Sequence, residues 1–531
     1  MAERATPGTA RVATGSSLRD SARMREQLSR LAPFAILSAF TTFCLTLAYR
    51  LNIWQDEAYS LHTSGSGIAR ALQQGITFEA QAPLYFVVLA AWRILNASVF
   101  HARLLSLGCG IVAIYMGWLF ARRYLRTINP TLVLAALAFN PFMVWASVEI
   151  RPYCAAVMFS AVLLYLFFRG FVDDEPSVVA CVGYVLLAIA GTYTQYYVAL
   201  LLPAAGFILV VLRKWKVLPV YVAAMLPVAV ALVPIVFVLP EQFRAYHAFA
   251  LVFKPPVYAM ATALLEYALP HNWIESWAHS LAKNAIYGLV GAIPAVIAFG
   301  SLRRLSRTTQ ALLAINGALF AIFTAAIVLA HVDLLIPRHT LIMLVPVMLL
   351  TFALIGDVLP RRRLTVVSAY LAIFAIFAFL SFYHDYRTMA KIGDWNRVAR
   401  FVRANATTSD LVAVFNAEAE LPFRYYFHGD NVVRAIPQSM SFDRFDEDAF
   451  VLRDEKAAAS SFGEIAHGYR RIWLIESSVC SIRGDFFGCR HLESYTRTHF
   501  RTVRVVHFSG SSVTELEARD EAALPYVNGK S

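Results

Sequence analysis

Long apolar runs recur along most of this chain and limit its fold more than any other feature. A helix satisfies its own backbone hydrogen bonds, so an apolar run of about 20 residues predicts a helix that crosses a hydrocarbon layer about 30 Å thick. Such runs occupy residues 31–49, 103–121, 131–147, 153–171, 178–194, 197–212, 217–239, 284–302, 310–330, 339–356 and 364–382. Residues 28–382 are therefore predicted to form an all-α polytopic membrane bundle of about eleven transmembrane helices.

The charged residues are few and unevenly placed. They make up 15% of the 531 residues, whereas about a quarter is usual in soluble proteins. The net charge is +12, but Lys and Arg fall mostly in short runs between the apolar runs. Such basic runs act as topology signals and as contacts for lipid headgroups. Membrane lipids are therefore expected partners, and nucleic acid is not.

One apolar stretch, Pro83–Leu95, is short for a span and is interrupted by Arg93. If it forms a helix that lies at the membrane surface, the basic loops fall on the same side as the Arg-rich N-terminal tail, as the positive-inside rule requires. These loops are 122–126, 213–216, 303–307 and 361–363. We therefore expect a multi-pass protein with a disordered cytoplasmic tail at 1–27.

Residues 383–531 have a different pattern. Apolar runs of strand length alternate with helix-like stretches, which predicts a small extracytoplasmic α/β domain. The strand-like runs are 411–415, 471–475 and 503–506, and helix-like stretches are 394–403 and 491–499. No Gly-rich phosphate loop follows a strand and no dinucleotide motif occurs, so no nucleotide cofactor is expected.

The six cysteines are scattered. Cys480 and Cys489 lie close together in the C-terminal part and can form a disulfide if that part is extracytoplasmic. The other four lie in apolar runs, where Cys usually acts as a small buried hydrophobic residue. No spacing of His and Cys predicts a metal site.

Polar residues gather where this topology places the outer surface. Asp56 and Glu57 follow the first apolar run, and a charge at a membrane boundary is costly unless water, a partner or a substrate meets it. The pair either serves chemistry or only caps an interfacial helix, because acids favour helix N-termini. The other outward clusters are Gln81-Ala82-Pro83-Leu84-Tyr85, Arg103-Leu104-Leu105-Ser106, Glu149-Ile150-Arg151-Pro152-Tyr153, Tyr196-Tyr197 and Pro337-Arg338-His339.

The order of these motifs resembles the polytopic GT-C glycosyltransferases. The bacterial branch that contains the lipid A aminoarabinose transferase and the rhizobial lipopolysaccharide galacturonic acid transferases is the most similar, and the protein O-mannosyltransferases are more distant. The resemblance covers roughly the first 170 residues in motif order and is looser beyond them. The sequence departs from the family pattern at Gln81, where His is usual, and at Ala82 and Leu105, where Pro is usual.

This resemblance implies an enzyme of a bacterial inner membrane. It would transfer a sugar, with inversion, from a polyprenyl-phosphate-linked donor to a glycolipid, saccharide or protein acceptor at the outer face. Asp56 would act as the base that deprotonates or orients the acceptor hydroxyl, with Glu57 as the neighbouring acid. Arg338 would contact the leaving phosphate, with His339 beside it. The other candidates for donor or acceptor binding are Gln81, Tyr85, Glu149, Arg151, Tyr153 and Tyr196.

Simpler roles stay open for several of these residues. Arg151 and Arg338 can place their charges at helix ends while their stems stay in the apolar layer. Glu149 can pair with Arg151 alone, and Tyr196 can belong to an aromatic belt at the interface.

Two other functions also stay open. A transporter or flippase for a lipid-linked saccharide would need charged or helix-breaking positions in mid-membrane, and the apolar runs contain prolines but almost no charges. An O-antigen ligase or polymerase would use a large external loop rich in Arg and His, which describes residues 240–283.

Overall fold

The computed structural model describes residues 10–245, 256–271, 305–330, 337–358, 361–480 and 485–519. The predicted span at 284–302 and part of the loop at 240–283 lie outside these residues.

Helices make up most of the chain as far as residue 386. They are α1 (Ala10–Arg50), α2 (Gln55–Thr63), α3 (Ile68–Thr77), α4 (Leu84–Arg93), α5 (Val99–Tyr124), α6 (Pro130–Ala138), α7 (Pro141–Ser147), α8 (Tyr153–Phe167), α9 (Val178–Thr194), α10 (Leu201–Val211), α11 (Leu218–Ala245), α12 (Pro256–Ala268), α13 (Arg307–Ala330), α14 (Leu344–Val358) and α15 (Arg363–Tyr386). A short helical turn, Pro337–Thr340, precedes α14.

Seven helices in the described part of the chain are long and apolar enough to cross a membrane. The pair α6 and α7, bent by 59°, makes an eighth if it is one span. The seven are Arg30–Arg50, Val99–Tyr124, Tyr153–Val172, Leu218–Gln242, Arg307–Ala326, Arg338–Val358 and Arg363–Tyr386. The predicted spans at 178–194 and 197–212 coincide with shorter apolar helices, Val178–Thr194 and Tyr196–Val211. The predicted all-α polytopic membrane bundle is confirmed.

The short stretch Pro83–Leu95 contains α4, a helix of 10 residues. Its length of about 15 Å is half the thickness of a hydrocarbon core, so α4 alone is too short to cross it. The helix packs against α3 and α5. Its surface orientation stays a prediction. The first helix, α1, begins at Ala10, within the segment 1–27 for which the sequence predicts disorder.

Helix α5 packs against α6, α7 and α8 and so holds the middle of the bundle. Its Gly110 lies against the end of α7, where an added Cβ would stand inside van der Waals contact with the Ser147 hydroxyl and 3.3 Å from the Cys154 sulfur. The absence of a side chain therefore lets α5 approach the turn between α7 and α8. That turn carries Glu149 and Arg151.

The C-terminal part contains a five-stranded sheet in the order β2-β1-β3-β5-β4. Strands β1, β2 and β3 are parallel, whereas β5 pairs antiparallel with both β3 and β4. The strands are β1 (Leu411–Phe415), β2 (Val432–Ile436), β3 (Arg471–Ser477), β4 (Phe500–Phe508) and β5 (Ser511–Ala518). The longer helices beside them are α16 (Trp395–Asn405), α17 (Glu420–Tyr426) and α18 (Cys489–His499). The predicted α/β domain is confirmed in type, and a disulfide joins Cys480 to Cys489.

The close approach at Gly110 predicts a stability difference between two glycines of one helix. We expect Gly110→Ala to lower the free energy of unfolding by about 1–3 kcal/mol, because the added methyl group overpacks the contact with Ser147. Gly108, on an exposed part of α5, has open space around its Cβ position, so Gly108→Ala is the matched control. The measurement is the thermal unfolding midpoint of both variants in detergent micelles. Equal midpoints would contradict the close approach.

Candidate active site

Glu57 and Arg103 form a buried ion pair. The Nε and Nη2 of Arg103 donate to the two carboxylate oxygens of Glu57 at 3.0 and 2.8 Å, and both side chains are fully buried. The guanidinium also donates to the carbonyls of Ala48, Leu51 and Asn52 at 2.8–2.9 Å, around the C-terminal end of α1. Carbonyls at a helix end need partners from outside the helix. Arg103 therefore binds Glu57 and caps α1 at once, and loss of one charge would leave the other buried at a cost of about 3–5 kcal/mol.

Lys391, which follows α15 in the chain, lies beside this ion pair and forms a charged cluster with Glu57, Arg103 and Glu149. Its Nζ lies 2.9 Å from Glu57 Oε2 and 2.7 Å from Glu149 Oε1. The Trp54 Nε1 donates to the other oxygen of Glu149 at 2.5 Å. The backbone N–H of Ile150 donates to Glu57 Oε1 at 3.1 Å. The two acids thus share one ammonium group, and the turn after α7 is attached to α2.

The two buried acids differ in how readily they ionise. Burial raises the pKa of Glu57, but the positive charges of Arg103 and Lys391 outweigh it and hold the pKa below its ordinary value. For Glu149, burial is the larger effect and raises the pKa to about 7, although Lys391 acts to lower it. Glu57 is therefore charged at neutral pH, whereas Glu149 titrates there.

Asp56 is adjacent to Glu57 in the chain but reaches the surface of the cluster. Its Oδ2 lies 3.0 Å from Nη1 of Arg338 and 3.9 Å from Nε of Arg151. The Asp56 side chain is 18% exposed, and that of Arg338 is 28% exposed. A ligand can therefore approach Asp56 and Arg338. The Glu57 side chain has an exposed fraction of 0% and is enclosed.

Arg151 is held on its other side by Glu79. The Nη1 of Arg151 donates to Glu79 Oε2 at 2.6 Å and to the hydroxyl of Ser60 at 3.1 Å. Glu79 is buried and also accepts from the Thr63 hydroxyl at 3.2 Å. Burial raises the pKa of Glu79, against the opposing effect of Arg151. Arg151 is thus clamped between Glu79 and Asp56 and does more than place its charge at a helix end.

Three further predicted residues surround this cluster. Tyr85 is buried among Ile53 and Ile150, where it packs the start of α4 against the turn after α7. Tyr153 is buried at the start of α8 and lies under the Arg151 guanidinium, 6.0 Å from the ring centre. Gln81 is half-buried, and its backbone N–H donates to the Gly75 carbonyl at 3.0 Å.

Two predicted residues are less closely tied to the acids. Tyr196 is half-buried at the turn between α9 and α10 and, among the described residues, makes no hydrogen bond to a carboxylate of the cluster. His339 follows Arg338 and stacks on Tyr197, with ring centres 5.2 Å apart. In the part of the chain that the structure describes, no three His, Cys, Asp or Glu side chains form a group that could hold a metal ion.

Three charged residues of this cluster have no role in the sequence-based prediction. Arg103 begins the motif Arg103-Leu104-Leu105-Ser106, but nothing in the sequence indicates a buried partner for it. Glu79 stands two residues before the predicted Gln81, so its position as an acid in the first external loop was a usable signal. Lys391 lies in the segment after the last span, and no local pattern connects it to Glu57 or Glu149.

Comparison with solved structures gives the class of the fold. The chain is similar to ArnT from Cupriavidus metallidurans in the apo state, with a TM-score of 0.50 and 16% identity over 91% of this chain and 98% of that chain. The structure of the same ArnT bound to undecaprenyl phosphate gives a TM-score of 0.46 and 16% identity over 91% of this chain and 97% of that one. The sequence matches no protein-family model and no curated protein.

ArnT is a GT-C lipid A aminoarabinose transferase. At 16% identity the likeness to it establishes the fold, which is the GT-C fold of a polytopic membrane protein. The resemblance that the sequence motifs indicate is confirmed at that level.

The raised pKa of Glu149 predicts how stability depends on pH. A folded-state pKa of about 7, above the ordinary value of 4.5, means that the folded protein holds this proton longer than the unfolded chain does. The contribution of Glu149 to stability is therefore present below pH 4.5 and is lost as the pH rises towards 7. We expect Glu149→Gln to remove this fall from the unfolding midpoints measured between pH 4.5 and 7.5. Glu464→Gln, at an exposed position, is the control, and equal pH slopes for the two variants would contradict the assignment.

Proposed function

We propose that this protein is a membrane glycosyltransferase that moves a sugar from a polyprenyl-phosphate-linked donor to a glycolipid or lipopolysaccharide-type acceptor. The observation that carries the proposal is the exposed part of the cluster, where the Asp56 carboxylate lies within 4.0 Å of two guanidinium groups. The GT-C fold supports it, because the ArnT that shares this fold is a lipid A aminoarabinose transferase. A saccharide or a protein is the other class of acceptor that the same chemistry would serve.

Asp56 acts in this proposal as the general base. In the transfer step the acceptor hydroxyl gives its proton to the Asp56 carboxylate, and the oxygen attacks the anomeric carbon of the donor sugar. The bond from that carbon to the phosphate oxygen breaks, and the phosphate leaves with its negative charge. Attack opposite to the leaving group inverts the anomeric centre.

Arg338 and Arg151 take different parts in the same step. Arg338 is partly exposed and can exchange a carboxylate oxygen for an oxygen of the donor phosphate, which it stabilises by charged hydrogen bonds. Arg151 is almost fully buried and is held by Glu79, so its part is to orient Asp56. Glu57 supports the site from inside through Arg103.

The orientation of the chain follows from the same proposal. Chemistry on a lipid-linked donor belongs at the outer face, with the N-terminal tail (1–27) in the cytoplasm and the segment 383–531 outside, beyond the transferase domain at 28–382. The disulfide between Cys480 and Cys489 supports this side for the C-terminal segment, because such bonds persist in oxidising compartments.

Asp56→Asn tests the base directly. We expect it to reduce transfer of radiolabelled sugar from a polyprenyl-phosphate donor by a factor of about 10²–10⁴, because the amide cannot accept the proton. Insertion and folding should be unchanged, as judged by size-exclusion profile. Asp430→Asn, an exposed carboxylate of the C-terminal segment, is the matched control. Near-wild-type transfer by Asp56→Asn would contradict the role.

Arg338→Met tests the phosphate contact. We expect kcat to fall by about 10²-fold, since one donor to the departing phosphate is lost. Arg403→Met, at an exposed position of α16, is the control.

Mass spectrometry of envelope glycolipids, with and without the gene, would then identify the sugar and the acceptor. An unchanged glycolipid profile combined with altered saccharide transport would favour a flippase instead.

A further inference from the structure

Lys391 occupies a position that the proposed chemistry does not use. The side chain leaves the segment between α15 and α16 and is 9% exposed. Its Nζ donates to the Val148 carbonyl at 3.1 Å and forms ion pairs with Glu57 Oε2 at 2.9 Å and with Glu149 Oε1 at 2.7 Å. The ammonium group therefore lies between two carboxylate oxygens and a carbonyl oxygen, all of them inside the protein.

The backbone of Lys391 is attached to the same region. Its N–H donates to the Asn52 side-chain oxygen at 2.8 Å, while the Asn52 carbonyl accepts from Arg103. Lys391 therefore joins three parts of the chain: the connection from α1 to α2, the turn after α7, and the start of the C-terminal segment. Burying a lysine in this way is costly, and the cost is offset by Glu57, which is charged at neutral pH, and by Glu149, which titrates there.

Other contacts attach the C-terminal segment to the first external loop. The Ile53 N–H donates to the Tyr426 hydroxyl at 2.8 Å. Farther along the first external loop, the ring of His62 stacks on Phe442 of the C-terminal segment, with ring centres 3.9 Å apart. The side-chain amide of Gln74, in the same loop, donates to the Phe442 carbonyl at 2.9 Å. These contacts hold the segment beside α2 and α3, and Lys391 is the point at which it reaches the buried acids.

We propose that Lys391 is a positioning residue of the transferase site, through which the C-terminal segment sets the placement of Asp56 and Arg151. The proposal rests on the proposed function. Glu57 directly follows Asp56 within α2, and Glu149 stands two residues before Arg151. A cation that fixes both glutamates also fixes the two backbones that carry Asp56 and Arg151. The site is complete only when the C-terminal segment is docked.

The charged groups that face Lys391 make the expected effect of replacing it depend on pH. Its ammonium faces Glu57 of α2 and Glu149 of the turn, with Arg103 of α5 behind Glu57 and Trp54 beside Glu149. In Lys391→Met, Glu149 loses the cation that lowers its pKa. At low pH, Glu149 is then protonated and neutral. As the pH rises, an unpaired buried charge forms and disturbs the turn that carries Arg151.

The experiment compares kcat per folded molecule for Lys391→Met, Lys391→Arg, Glu149→Gln and the double variant Lys391→Met/Glu149→Gln between pH 5.5 and 8.5. We expect Lys391→Met to lose about 100-fold in kcat at the upper end, the size of effect that misplaced reacting groups cause. Its donor KM should change by less than about twofold, because the Lys391 side chain is only 9% exposed and its ammonium faces Glu57 and Glu149. The double variant should recover about tenfold at high pH, since no unpaired carboxylate is left.

Lys391→Arg keeps the charge and should fall between Lys391→Met and the wild type. Lys456→Met, at an exposed position of the C-terminal segment, is the control and should match the wild type. A pH profile of Lys391→Met parallel to the wild type, or a double variant no better than Lys391→Met, would overturn the proposal. Absence of transfer by the wild type itself would instead overturn the proposed function.

Hydrogen exchange of residues 52–60 and 146–152 provides a readout that does not need activity. Faster exchange is expected in Lys391→Met, and unchanged exchange would overturn the positioning role.

Discussion

The buried pair of Glu57 and Arg103 is the interaction on which the rest of the site depends. In a medium of low dielectric constant a single charge is costly, and this pair keeps both charges only because each is fully hydrogen-bonded. Arg103 brings together the end of α1, the start of α2 and the N-terminal part of α5. Glu57 adds the turn after α7 through the N–H of Ile150. Four elements are thus joined at one point, and Asp56 is carried at its edge.

Two adjacent acids have opposite surroundings as a result. Glu57 faces inward, is fully enclosed and binds Arg103 and Lys391. Asp56 faces a partly exposed guanidinium, Arg338, that can exchange partners. The capping interpretation also has a basis, since Glu57 accepts from the Trp54 N–H at 3.4 Å before the start of α2. That bond is longer than those from Arg103, so capping is a secondary part of what Glu57 does.

Sequence patterns predicted the bundle well because hydropathy acts locally: each apolar run must find a lipid or protein environment wherever the chain goes. They also predicted that polar residues of separate clusters meet, since Asp56 contacts both Arg151 and Arg338. Pairing inside the cluster was not predictable. Arg151 pairs with Glu79, whereas Glu149, two residues before it in the chain, pairs with Lys391 and Trp54, because the turn after α7 directs the two side chains to different partners.

The sequence by itself determined that this chain is a helical membrane bundle with a small α/β domain, and that its charged residues concentrate between the spans. These properties depend on composition and period over short stretches, which every part of the chain carries independently. Only the tertiary structure decided which of the acids is accessible, that Arg103 is enclosed, and that Lys391 returns from the C-terminal segment to join Glu57 and Glu149. Those outcomes depend on which helices approach one another, and the free energy of a buried charge is fixed by its partners rather than by its neighbours in sequence.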